Sequence, residues 1–331
     1  MPVNLLPQVA RDNGLEPQRF LEVLGQKAGL GGARFQGSHL FRFRTEDVAA
    51  RQHRAAGAFG DPIEEARDWL ARLVAPDGRI EFAIDPRSRE RVRSGIMRHG
   101  RVAVALRALA GSKRHAREIK RAARWLEREI AQALRGDPVE GWPEHPAVVA
   151  GTLALASQAG IDLAEPLSQF AAKSELTTNA WHAAQMVCVL GKRSPPQLVR
   201  ACVADLDQRP WAPWTLLAAR ELGDAKLMAR CQRPIVEALR SQAPHLGGAS
   251  VTNVPETALT AISIEALAGL RSKEAKSAVA RGKDFLRRWQ LRSSVSASLD
   301  PVLCRGAFPA SPVASLLRCD ITGHAVLALE S

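Results

Sequence analysis

Six short segments gather much of this chain's chemically capable side chains: Arg98-His99, Trp142-Pro143-Glu144-His145, Asn179-Ala180-Trp181-His182, Trp211-Ala212-Pro213-Trp214, Asn253-Val254-Pro255-Glu256-Thr257 and Arg318-Cys319-Asp320-Ile321-Thr322-Gly323-His324. Together they hold four of the eight histidines and four of the seven tryptophans, although they are a small part of the sequence. A carboxylate beside an imidazole can divide acid and base roles, because burial and mutual charge push the two pKa values apart. Asp320 and His324, one helical turn apart, are the first candidate pair. Glu256 is the second carboxylate, and His99, His145 and His182 are further proton carriers. Arg98 and Arg318 would draw an anion, and Trp142, Trp181 and Trp211 could stack on a sugar or isoprenoid face. Asn253 and Thr322 complete the candidate binding set. Asp320, Thr322, Asn253 and Thr257 suit helix capping equally well.

These segments can act together only if the fold brings them together. From Asp61 onward helical patterns alternate with short breaks, over roughly 62–75, 96–111, 115–135, 146–160, 162–173, 178–191, 195–207, 211–222, 224–242, 256–270, 274–292 and 320–330. Asp61-Pro62 supplies an N-cap followed by proline at the first helical position. The helices at 96–111, 146–160, 178–191, 256–270 and 320–330 are rich in Ala, Leu and Val nearly all round, which marks burial on every side. Those at 115–135, 224–242 and 274–292 are amphipathic and suit an outer layer. Related words recur at hairpin spacing, among them Val104-Ala105-Leu106-Arg107-Ala108-Leu109, Ile264-Glu265-Ala266-Leu267-Ala268 and Ala325-Val326-Leu327-Ala328-Leu329. An open solenoid needs a polar terminal cap. The final helix is among the most apolar, so the expected fold is all-α, a closed α/α toroid of about six helical hairpins.

In such a ring every inner helix starts at the same end, and the six segments converge there. Their free N–H groups and dipoles favour an anion at the centre. Residues 1–60, with the strand-like His39-Leu40-Phe41-Arg42-Phe43-Arg44, form a small irregular appendage on the domain 61–331.

The stretch Asp68-Trp69-Leu70-Ala71-Arg72-Leu73-Val74-Ala75-Pro76-Asp77-Gly78-Arg79 resembles the helix and Pro-Asp-Gly turn of the terpenoid-cyclase and prenyltransferase toroids. Gly306-Ala307-Phe308-Pro309 and Arg318-Cys319-Asp320-Ile321-Thr322-Gly323-His324-Ala325 resemble the Gly-Phe loop and Asp-x-Thr inner-helix start of that fold. They are also similar to inner-helix starts in bacterial glycan-processing (α/α) barrels, uronyl epimerases included. The resemblance implies the toroid more than an activity. The Asp-x-Asp-Asp acid of class II cyclases is missing, Asp205-Leu206-Asp207-Gln208 being a poor substitute, and no Asp-Asp-x-x-Asp diphosphate motif occurs.

Composition narrows the class. Lys and Arg number 46 against 34 Asp and Glu, a net charge of +12, which favours anionic partners. The five cysteines are widely spaced without a CxxC pair, which suits a reducing cytoplasm rather than a disulfide framework. No stretch is long and apolar enough to span a bilayer, and the first residues lack a signal-peptide pattern. With no tyrosine in the chain, phenol chemistry is excluded. No cofactor is implied: a metal on Cys319, Asp320, His324 and His99 lacks a close-spaced ligand pair, and no Gly-rich phosphate loop is present. Arg117, Arg121, Arg124 and Arg128 line one face of helix 115–135, opposite Ile119, Ala123, Leu126 and Ile130. That face could dock a protein partner, and nucleic acid is the lesser expectation.

Three functions follow. An enzyme could hold an acidic sugar polymer and transfer protons as an epimerase, lyase or hydrolase; a cyclase-like protein could hold an isoprenoid diphosphate; a non-catalytic scaffold could dock a partner on its basic face.

Overall fold

The structure, a computed structural model, describes residues 60–86, 88–92, 98–172, 180–204, 206, 212–240, 256–291, 301–310 and 316–331, all within the compact unit Ala56–Ser331. The expected appendage and its strand, and the segment Asp205-Leu206-Asp207-Gln208 apart from Leu206, lie outside the described residues.

Six inner helices form a closed ring. They are α2 (Arg98–Ala110), α4 (Pro146–Gln158), α6 (Ala180–Leu190), α8 (Ala212–Leu222), α10 (Thr257–Leu267) and α13 (Cys319–Glu330), each packed on the next, with α13 returning to α2. Outside them lie α1 (Pro62–Arg72), α3 (Ala116–Leu134), α5 (Ala164–Ala171), α7 (Pro196–Ala204), α9 (Ala225–Arg240) and α11 (Lys273–Trp289), each against an inner partner. This is the α/α toroid that the alternation of apolar and amphipathic helices predicts.

The helix ends follow local chemistry. Asp61 Oδ1 accepts from Ile63 N at 3.0 Å and starts α1, and Ser272 Oγ accepts from Ala275 N at 3.1 Å and starts α11. Inner helices end in tight turns: past α4, Gly160 takes a φ of 92° and Ile161 N bonds back to Ala156 O at 3.2 Å. In α3 the buried face is Ala122, Trp125, Leu126 and Ile130, with Ile119 and Ala123 half-buried at its margin. The inner helices are buried almost throughout, as in Val149–Ala156 of α4 and Cys319–Val326 of α13.

Glycines let ring helices approach closely. A Cβ on Gly323 would lie 3.1 Å from Val104 O, so α13 seats directly on the α2 backbone. The Pro-Asp-Gly turn works the same way toward the outer layer, since a Cβ on Gly78 would lie 2.3 Å from Arg121 O.

Two kinds of element were not anticipated. A short helix, α12 (Pro301–Cys304), precedes the Gly306 turn. A small antiparallel sheet joins β1 (Ala83–Ile84) to β2 (Arg91–Val92) and to β3 (Leu317–Arg318), pairing Ala83 with both Val92 and Arg318. Two-residue strands leave no periodic signal in the sequence.

Candidate functional site

The ring has unequal ends. Inner helices pass to the outer layer through short turns at 111–115, 159–163, 191–195, 223–224 and 268–272. Outer helices return through the longer segments 73–97, 135–145, 172–179, 205–211, 241–256 and 290–318. Longer connections at one end of a rigid scaffold are where binding groups usually sit.

At that mouth the sheet builds a charged cluster. Strand β3 runs straight into α13, and its pairing with β1 puts Phe82 beside Arg318, with Cys319 N donating to Phe82 O at 2.9 Å. Arg318 grips Asp320 in a two-point ion pair, Nε to Oδ1 at 3.0 Å and Nη2 to Oδ2 at 2.5 Å. Arg101, in the first turn of α2, stands 3.8 Å from the same carboxylate. Both guanidiniums lie over the Phe82 ring, at 5.0 Å for Arg101 and 5.4 Å for Arg318. Burial, and then Arg318, lowers the pKa of Arg101. Two cations share one carboxylate, so the cluster carries an excess positive charge, and 29% of the Arg101 side chain and 27% of Arg318 remain open to solvent. The sequence reading missed Arg101 and Phe82, which lie outside the six segments.

Glu256 stands on the neighbouring ring position. Thr257 is strapped to the loop after Gly306, its N donating to Ala310 O at 2.9 Å and its hydroxyl to Pro309 O at 2.5 Å. Pro309 bridges in turn to Leu317 of β3, which ties the start of α10 to the start of α13. The Gly306 turn is obligatory, since a Cβ there would lie 2.0 Å from Glu65 O at a φ of 94°. Glu256 is half-buried, and burial raises its pKa above the usual carboxylate value.

Several expected site residues face elsewhere. His99 is fully buried between the layers, stacked on Trp125 at 5.7 Å and 3.4 Å from Glu129 of α3, with Trp142 edge-on at 5.2 Å. Trp142 therefore packs on His99. His182 is buried against α4, where a Cβ on Gly151 would come within 2.3 Å of its ring, and Trp181 stacks on it at 5.4 Å. His145 is an exposed N-cap, its Nδ1 accepting from Ala147 N at 3.3 Å. Thr322 is buried, its hydroxyl accepting from Phe308 N at 3.1 Å, a structural strap for the Gly-Phe loop. The side chain of Arg98, and Trp211 and Asn253, lie outside the described residues.

His324 does not pair with Asp320. Its Nδ1 lies 3.3 Å from Glu265 Oε1, and Glu265 Oε2 lies 3.6 Å from Arg107 Nη1. Trp214 meets the imidazole edge-on at 6.1 Å. The reason is geometric: Arg318, immediately before the helix, engages both oxygens of Asp320, while His324, one turn further along α13, meets Glu265 of α10.

Away from the mouth, a cleft of about 760 Å³ is lined by Asp68, Arg72, Arg114, His115 and Arg117 beside the start of α3. Asp68 holds His115 at 2.8 Å and Arg114 at 3.3 Å there. On α3 itself Arg117, Arg124 and Arg128 are exposed, whereas Arg121 is half-buried and pairs with Glu118 at 3.3 Å. Among the described residues no group of three or more His, Cys, Asp or Glu is placed to hold a metal ion, and no helix is long and apolar enough to cross a membrane.

No protein-family model and no curated protein matches the sequence. Among solved structures the chain is similar to the crystal structure of an unsaturated glucuronyl hydrolase specific for heparin, with a TM-score of 0.57 and 11% identity, over 81% of this chain and 95% of that one. At that identity the likeness establishes the architecture: the chain has the α/α toroid fold.

Proposed function

We propose that the mouth of the ring binds an acidic sugar unit and that Glu256 and Asp320 carry out glycoside hydrolysis on it. The observation that carries this reading is the pair of partly open guanidiniums, Arg101 and Arg318, sharing the single carboxylate of Asp320 at the start of an inner helix. A uronate carboxylate or a sulfate would complete that charge balance, since arginine forks match both groups. The solved toroid named above acts on an acidic glycan, which supports the same substrate class.

Glu256 is the proton donor in this reading. Its raised pKa keeps the carboxyl protonated to higher pH than an ordinary glutamate, which is what a general acid at a glycosidic oxygen requires. Asp320, oriented by Arg318, is the base that takes the proton of the attacking water in this reading. The cyclase-like alternative finds little support in so charged a mouth.

Calorimetric titration with heparin-derived disaccharides and with neutral disaccharides of equal size tests the proposal. Only the acidic series should bind, and Arg101→Ala or Arg318→Ala should each weaken binding about tenfold or more. Equal binding of neutral sugars, or unchanged affinity in both arginine variants, overturns it. Glu256→Gln should bind the disaccharide as wild type does and lose turnover.

A further inference from the structure

The cleft beside the start of α3 is separate from the mouth. Its walls are the end of α1 and the turn 111–115 that leads into α3, and its volume is about 760 Å³. Asp68 reaches from α1 to that turn, where its Oδ1 lies 2.8 Å from His115 Nε2 and its Oδ2 accepts from Arg114 Nη1 at 3.3 Å. Arg67, the residue before Asp68, fastens α1 to Ala108 O near the end of α2 at 3.1 Å. The two walls are therefore held at a fixed spacing by the protein itself.

The charges lining this cleft do not balance. Asp68 is shared between Arg114 and His115, and Glu118 pairs with Arg121 at 3.3 Å. Arg72 from one wall and Arg117 from the other also line the cleft, and neither forms an ion pair among the described residues. Nearby, Arg305 is matched by Glu65 at 3.1 Å. Two guanidiniums are left over. Arg72 is held in place, since its Nη2 donates to Arg305 O at 2.7 Å, and its remaining N–H groups are open to a ligand. Burial lowers the Arg72 pKa; Asp68 opposes that shift and the charge of Arg305 adds to it, so an anion here would relieve a strained cation. α3 begins at the same place with no side-chain cap, which adds the positive end of its dipole.

Two unmatched cations call for a dianion. A phosphate monoester carries about −2 at pH 7, whereas a carboxylate or a sulfate ester carries a single charge. Arginine forks match phosphate oxygens in the two-point manner. The volume fits a whole small molecule better than a bare ion, since such sites span roughly 300–1,000 Å³. Ala71 and Ala116 are the only apolar side chains among the described lining residues, so no Trp or Phe offers a stacking face to a nucleobase. Asp68 and Glu118 instead supply carboxylate oxygens that accept from hydroxyls.

We infer that this cleft is a second binding site, remote from the mouth, for a phosphorylated sugar, with Arg72 and Arg117 holding the phosphate. The inference goes beyond the acidic-sugar reading of the mouth and does not depend on it.

Calorimetric titration of the full chain with glucose 6-phosphate, glucose 6-sulfate, glucose and AMP tests this. Glucose 6-phosphate should bind, the singly charged sulfate ester about tenfold more weakly or worse, and glucose not detectably. Arg117 is exposed, so Arg117→Ala should melt as wild type does and weaken glucose 6-phosphate binding about tenfold; Arg72→Gln should weaken it to a similar extent. Because the mouth also carries arginines, Arg318→Ala is the control and should leave this affinity unchanged. Absence of glucose 6-phosphate binding, equal binding of the sulfate ester, or a loss in Arg318→Ala with none in Arg117→Ala overturns the inference. AMP should bind no tighter than glucose 6-phosphate, and tighter binding overturns the sugar as the carrier of the phosphate.

Discussion

His182 shows what burial does to a single titratable group at an inner-helix start. Desolvation, with help from the positive charge His145 would carry, pushes its imidazole down to about 4. The folded state therefore disfavours the protonated ring. Its contribution is fully present above the ordinary histidine pKa of about 6.5 and is lost as pH falls through 4. The loss is about 3 kcal/mol over that window, and urea titrations at successive pH values should show it shrink in His182→Gln. Glu256 has the opposite sign: stability is greatest below the ordinary carboxylate pKa and is lost as pH rises through the raised folded value. Thr322 is a purely structural case. Thr322→Val strands the buried Phe308 N–H and should cost about 1–3 kcal/mol, read as a fall in Tm with the mouth arginines intact.

The outer helices owe their position to one apolar face, and their ends to caps. Ser272 accepts from Ala275 N and also from Gln232 Nε2 at 2.7 Å, so it starts α11 and ties it to α9. Ser272→Ala should cost about 1–2 kcal/mol by thermal or urea unfolding, near the upper end for a cap because two bonds go. The inner helices are different. Their apolar residues surround the axis, and small residues such as Gly323 and Gly151 set how near the neighbours come. Gly151→Ala drives a methyl into the His182 ring and should destabilise by about 1–3 kcal/mol.

Ring closure is fastened at one buried cation. Arg67 on α1 donates from Nε to Ala108 O of α2 at 3.1 Å, from Nη1 to Glu64 at 2.8 Å, and from Nη2 to Glu330 at the end of α13. One side chain thus joins the first outer helix to the two inner helices that meet at the seam. Arg67→Ala leaves the Ala108 carbonyl and Glu330 without this partner and should cost about 2–3 kcal/mol. Since every inner helix has two ring neighbours, unfolding should stay a single transition in this variant, with the fall in midpoint measured by calorimetry.

Much of this architecture is written locally. Alternation of all-round apolar and one-faced helices marks the two layers, Asp61-Pro62 marks a helix start, and an apolar last helix marks closure. What the sequence does not carry is rotation of an inner helix about its own axis. A helix apolar on every side has no moment to say which residue faces the lumen. His99, His145 and His182 therefore share sequence surroundings with Asp320 and His324, yet two pack between helices and one caps an end. The partners of Asp320 and His324 were equally hidden: Arg101, Phe82, Glu265 and Arg107 come from elements far apart in the chain. Residue order alone determined that helices would pair, alternate and close. Only the closed ring decided which charges meet, because ion pairs form by distance in space and nothing local in the chain encodes a neighbour two hundred residues away.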